Sequence, residues 1–207
     1  KKLRTLYEEK GECSLHLYIS WQNLITNYFN VHDVLHAVSE FNEMLKYAQQ
    51  KEDPYGIAQA YTAMAIASSH SYEATLENAK QAIKSIRECE NNEMDLYIHY
   101  ILGQSAASNE QYEKAIQHAD DMLKLKKKAK NVELYAKQLK LYAYILLENE
   151  EEATKLFNEI QKNWDDNPSN PYFFSDLMCE YNCRYGNPED VKKYIDYIAS
   201  EETKATM

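Results

Sequence analysis

LYIHYILGQSAASNEQYEKAIQHADDMLKL, residues 96–125, holds two helical periodicities of similar length, split by a polar turn at Asn109-Glu110-Gln111. In the second half Tyr112, Ala115, Ile116, Ala119, Met122 and Leu123 recur at offsets of three and four, which sets them along one stripe of a helix. The first half ends its own stripe at Leu102-Gly103, where a residue without a side chain lets a neighbouring backbone come close. A hairpin of two such helices cannot bury both faces alone, so the pattern calls for copies of itself.

Working outward, the copies are found. With Ala115 as anchor, the equivalent small or branched residues are Ala37, Thr75, Ala115, Ala153 and Val191, separated by 38, 40, 38 and 38 positions. Four residues after each come Phe41, Ala79, Ala119, Phe157 and Ile195, and three after those Met44, Ala82, Met122, Ile160 and Ile198. Five segments sharing one pattern predict a helical solenoid.

These residues give the chain a resemblance to the tetratricopeptide repeat (TPR) family, in which helix A carries Trp, Leu, Gly and Tyr, and helix B carries Tyr, Ala, an aromatic and Ala. The first segment reads Trp21, Leu24, Ile25, Tyr28, then Val34, Ala37, Phe41, Met44, departing at the Gly and the two flanking small positions. The third reads Leu102, Gly103, Tyr112, Ala115, Ala119, Met122, and the other three match on helix B and only loosely on helix A. The period exceeds the usual ~34 residues, which implies longer helices or linkers and leaves a related helical solenoid open. The resemblance implies an all-α, right-handed superhelical array of about five antiparallel helix pairs. Its expected repeats are approximately 14–52, 53–91, 92–130, 131–167 and 168–201, within an array over 13–207 that follows the end of a preceding helix at 1–12.

Turn chemistry supports the parse. Asp33 is placed to cap the second helix of the first hairpin, Asp53-Pro54 and Ser71 open the two helices of the next, and Asn149 with Glu152 forms a capping box. Pro54, Pro168, Pro171 and Pro188 all fall at predicted boundaries, where a missing N–H is tolerated. The chain starts at Lys1 and its last predicted helix keeps a bare apolar side, so it reads as a piece of a longer protein.

Composition sets limits. Four Gly, four Pro and no alternating apolar pattern fit an all-helical chain. A formal charge of −10 argues against a nucleic-acid surface, which needs cations to offset phosphates. The longest near-apolar run, residues 139–147, falls well short of the ~20 needed to span a bilayer. The four cysteines read as small buried apolar residues, which slightly favours a reducing, cytoplasmic compartment and leaves a periplasmic or other extracytoplasmic sensor region open.

Candidate chemistry is sparse. His32-Asp33-Val34-Leu35-His36 mimics the spacing of a zinc-protease helix, but the longer Glu is replaced by Asp and Asp33 is needed as a cap. Cys179 and Cys183 stand four apart without partner histidines. The lysines from Lys124 to Lys130 sit at a helix end, where cations complement the dipole. No serine elbow, phosphate loop or set-apart carboxylate pair appears, so the segment is read as neither an enzyme nor a cofactor or metal carrier.

The eighteen tyrosines remain to be placed. In TPR arrays helix A lines the concave surface, and the resemblance carries that lining onto Gln22, Thr26, Phe29 and Asn30, then Met64, then Tyr97, Tyr100, Gln104 and Ser108, then Tyr135, Gln138 and Tyr142. The lining is free of charge until Asp176, Glu180 and Arg184, and it lacks the Lys, Asn and Arg with which chaperone-binding TPRs hold a C-terminal carboxylate. An uncharged Tyr and Gln groove suits a neutral extended peptide or a partner helix, because rigid aromatics supply contact area at low entropy cost. The expected role is therefore a protein- or peptide-binding scaffold. The resemblance extends to the input regions of bacterial sensor kinases and LuxR-type regulators, which implies a part in signal transduction. The alternatives are a stand-alone assembly scaffold and a solenoid that senses a small molecule or carbohydrate.

Overall fold

The computed structural model describes residues 15–87, 92–125, 132–166, 171–192 and 195–196. All regular structure among them is helical: α1 (Leu15–Asn30), α2 (Val34–Gln50), α3 (Pro54–Ala67), α4 (Tyr72–Ile86), α5 (Asn92–Ser108), α6 (Tyr112–Lys124), α7 (Val132–Leu146), α8 (Glu150–Asp166) and α9 (Pro171–Arg184). Residues 188–192 begin a further helical stretch. The expected end of a preceding helix at 1–12 lies outside the described residues, as do Cys13, Cys89, Lys126–Lys130 and Ile198.

The helix starts follow from local chemistry. The Asp33 carboxylate accepts the His36 N–H, Asp53 accepts those of Tyr55 and Gly56, and the Ser71 hydroxyl accepts that of Ala74. Asn149 does the same for Glu152 at 3.3 Å, and Glu150, Glu151 and Glu152 fill the first turn of α8, where the dipole favours anions. Four helices end through a residue held at positive φ: His32, Glu52, Glu110 and Glu148, at 59°, 51°, 60° and 58°. The next N–H reaches back five residues each time, as in Asp33 to the Tyr28 carbonyl at 2.8 Å and Gln111 to that of Ala106 at 2.8 Å. Glycine is absent from all four, so every one of these turns carries side-chain crowding that glycine would relieve.

Packing runs along the chain. Among the described residues α1 touches α3, α3 touches α5, α5 touches α7 and α7 touches α9, while α2, α4, α6 and α8 pack mainly on the odd-numbered helices on either side, with a side-chain contact from Tyr72 of α4 to His118 of α6 besides. The repeat anchors are the contact points: Ala37, Thr75, Ala115 and Ala153 are all 0 % exposed, as are Met44, Ala82 and Met122, with Ile160 at 1 %. Thr75 shows how a polar anchor is accommodated. Its hydroxyl lies 3.0 Å from the Ser68 and Ser71 carbonyls and from the Ser105 hydroxyl, so the substitution for alanine leaves no buried polar atom unsatisfied.

The pattern weakens at the aromatic positions and at the end. Phe41 and Phe157 are only half-buried, packing against Tyr61 and Tyr181 rather than at the centre. Val191 is partly exposed, and Ile195 is exposed. Gly103 also acts differently from expectation. What approaches it is the Leu139 side chain of α7, not a neighbouring backbone, and the Tyr18 ring of α1 covers Gly56 of α3 in the same way. Both glycines thus set the spacing between successive odd-numbered helices.

Candidate functional site

Tyr100, Gln104 and Ser108 recur every four residues on α5, and Gln138 and Tyr142 do so on α7, so each set lies along one helical stripe. Because α7 packs against both α5 and α9, these stripes come together. They line a groove of about 430 Å³, completed by Leu139 of α7 and by Leu177 and Glu180 of α9.

Its floor and rim differ. Leu139, Leu177 and Gln138 are buried, whereas Gln104, Ser108 and Tyr142 are exposed at the rim. Tyr100 stands between them: its ring meets Tyr135 edge-on at 5.4 Å, and its hydroxyl accepts the Gln104 side-chain amide at 3.0 Å. Burial, then the neighbouring Tyr135 and Tyr97 hydroxyls, push the Tyr100 phenol well above the usual tyrosine range, so it stays a neutral hydrogen-bonding group.

Glu180 is the one formal charge in this lining, and the Arg184 guanidinium donates to it at 2.8 Å while also reaching the Ile145 carbonyl at 3.2 Å. The groove thus offers aromatic faces, amides, hydroxyls and a compensated carboxylate. Such groups can hydrogen-bond to and stack against an uncharged ligand.

Five of the residues expected from the sequence are therefore brought together: Tyr100, Gln104, Ser108, Gln138 and Tyr142. Gln138 is more deeply placed than a contact residue should be, at 6 % exposure. Tyr135 supports Tyr100 from behind, and Tyr97 is exposed on α5 without lining the groove. Gln22, Thr26, Phe29 and Asn30 on α1 and Met64 on α3 do not line it either, and Phe29 packs against the core of the first hairpin. The Asp176 side chain is outside the described set. Leu139 and Leu177 were missed because they read as ordinary core positions.

The remaining motifs are settled locally. His32 sits at positive φ in the turn before α2, so His32 and His36 do not share a helical face. His36 stacks on Tyr28 at 5.3 Å and contacts the capping Asp33 at 2.8 Å. That contact is the main cause holding the Asp33 carboxyl below its ordinary value. Cys179 is half-buried with its thiol 3.9 Å from the Val191 carbonyl, and Cys183 is exposed, contrary to its reading as a buried apolar residue.

Comparison with protein-family models, with curated proteins and with solved structures finds no match. Among the described residues no helix is long and apolar enough to cross a membrane.

Proposed function

We propose that this chain is a TPR-like array of helix pairs that binds an extended, uncharged peptide segment in the groove between α5, α7 and α9. The observation that carries this reading is the groove itself. Five residues chosen as a concave lining from the repeat register share a single depression with exposed Tyr and Gln at its rim. The succession of contacts, odd helix to odd helix with the even helices set between them, supports a repeat array over a closed bundle. An extended peptide places side chains and amides alternately along its length, and the spaced hydroxyls and amides of Tyr100, Gln104 and Gln138 are suited to such a ladder.

The test is selection of binders from a displayed library of random peptides, followed by titration of the recovered sequences. Peptides lacking net charge are expected to dominate. Tyr142→Ala and Gln104→Ala are expected to weaken them at least tenfold with the melting temperature unchanged, and Met64→Ala on α3 is expected to have no effect. Recovered peptides that bind both groove variants as tightly as the wild type would remove the groove from consideration.

A further inference from the structure

A second constellation lies in the hairpin α5–α6 and takes no part in lining the groove. His118 and Asp121 are three residues apart on α6, hence on one face, and His99 projects from α5 beside them. Each of the three can present a nitrogen or oxygen within 4.8 Å of the other two, and all three are half-buried. The two imidazole rings are 5.8 Å apart at a tilt of 46°.

The hydrogen bonding around them is incomplete in a specific way. Nδ1 of His99 and Nδ1 of His118 are both inaccessible to solvent and have no hydrogen-bond partner among the protein atoms, and Oδ1 of Asp95, one turn before His99, shares that condition. Buried polar atoms are nearly always paired, so two stranded nitrogens on adjacent histidines call for an occupant.

Around His118 the outer contacts are those of a metal ligand. Its Nε2 lies 3.0 Å from the Tyr72 hydroxyl, and with Nε2–H donating to that oxygen the Nδ1 lone pair is left for a cation. Burial, then His99, lowers the His118 pKa to about 4 against the smaller opposing effect of Asp121. The Lys124 ammonium and the Gln117 side-chain amide both donate to Oδ1 of Asp121, at 3.0 Å each.

We propose that His99, His118 and Asp121 form a binding site for a divalent transition-metal ion of the zinc class, with Tyr72 as a positioning residue for His118. Two imidazoles and one carboxylate suit such an ion, whereas calcium and magnesium favour all-oxygen shells. Tetrahedral ligands with bonds of about 2.0–2.1 Å sit roughly 3.4 Å apart, so the three side chains close inward on the ion by rotation about their own bonds. The ion fastens α5 to α6 and leaves a fourth position for water or for Asp95. His99 directly precedes Tyr100 of the groove, so the ion steadies the helix that carries the groove's central residue.

The test is calorimetric titration of the chelator-treated full chain with Zn²⁺, together with Co²⁺ absorption spectra. One ion per chain is expected, with a visible Co²⁺ spectrum that lacks a thiolate charge-transfer band. His99→Asn, His118→Asn and Asp121→Asn are each expected to weaken binding at least a hundredfold, and Tyr72→Phe about tenfold. Circular dichroism at equal helicity confirms that these variants are folded, and His36→Asn serves as a control expected to bind as the wild type does. The proposal is overturned by the absence of stoichiometric binding, by a cobalt–thiolate band, or by loss of the ion in His36→Asn with retention in His118→Asn. For Tyr72→Phe, long-range ¹H–¹⁵N spectra should show His118 no longer held in one tautomer, a change that lost packing alone does not produce.

Discussion

His118 is held neutral by its surroundings, and that has a consequence for stability in acid with metal chelated. Tyr72, His99, Asp121 and Lys114 face its ring, and its folded pKa of about 4 lies below the ordinary histidine value of about 6.5. Between those two values the unfolded chain binds the extra proton and the folded chain does not. Stability is therefore fully present above the upper value and is lost as the pH falls toward the lower one. The contribution is at most ~3 kcal/mol, and smaller because solvent reaches part of the ring. Urea melts of wild type and His118→Asn at pH 7 and pH 5 check this, since the wild type should lose more on acidification. Gly103 supplies a second residue-scale prediction. A Cβ there would run into the Leu139 side chain, which is 3 % exposed and must shift to make room. Gly103→Ala should lower stability by about 1–2 kcal/mol despite the better helix propensity of alanine. In a Leu139→Ala background the same change should cost nothing, and equal penalties in the two backgrounds would show that the contact is not the cause.

The elements were the part most open to reading from sequence, because their boundaries depend on residues a few positions apart. Asp33, Asp53, Ser71 and Asn149 act through their own backbone neighbours, and Pro54 needs only the first turn of α3. Turn conformations were not legible in the same way: nothing in Glu52, Glu110 or Glu148 marks a left-handed residue, since the Schellman bonds that hold it there come from the flanking backbone. Glu110→Gly should therefore raise stability by about 0.5–1 kcal/mol, whereas Glu110→Ala should not, because alanine meets the same crowding at positive φ. Thermal melts of the two variants decide it. The groove was half legible, through the four-residue stripes of α5 and α7, while Leu139 and Leu177 were concealed by their apolar character. The His99, His118 and Asp121 cluster was not legible at all. Its members are separated by a turn and match no short motif, and only the docking of α5 on α6 brings them together.

At the scale of the whole molecule, the buried residues among those described fall into three clusters rather than one. The first joins α1, α2 and α3 around Trp21 and Met44, the second runs from α3 to α7 around Ile98, Leu102 and Met122, and the third joins α7, α8 and α9 around Leu141, Ile160 and Met178. Among the described residues, helices meet only their near neighbours in the chain, so a defect in one cluster has few direct contacts through which to reach the others. If the chain is the repeat array proposed above, its stability approximates a sum of local terms and neighbour interfaces. Ile160 is 1 % exposed within the third cluster, and Ile160→Ala should cost about 2–5 kcal/mol there. Native-state hydrogen exchange gives the spatial readout. Amides of α8 and α9 should lose protection by that amount, α7 by less, and α1 to α4 should exchange as in the wild type. An equal loss of protection from α1 through α9 would mean that the chain unfolds as one unit about a shared centre, and a repeat array with an open groove would then be the wrong description.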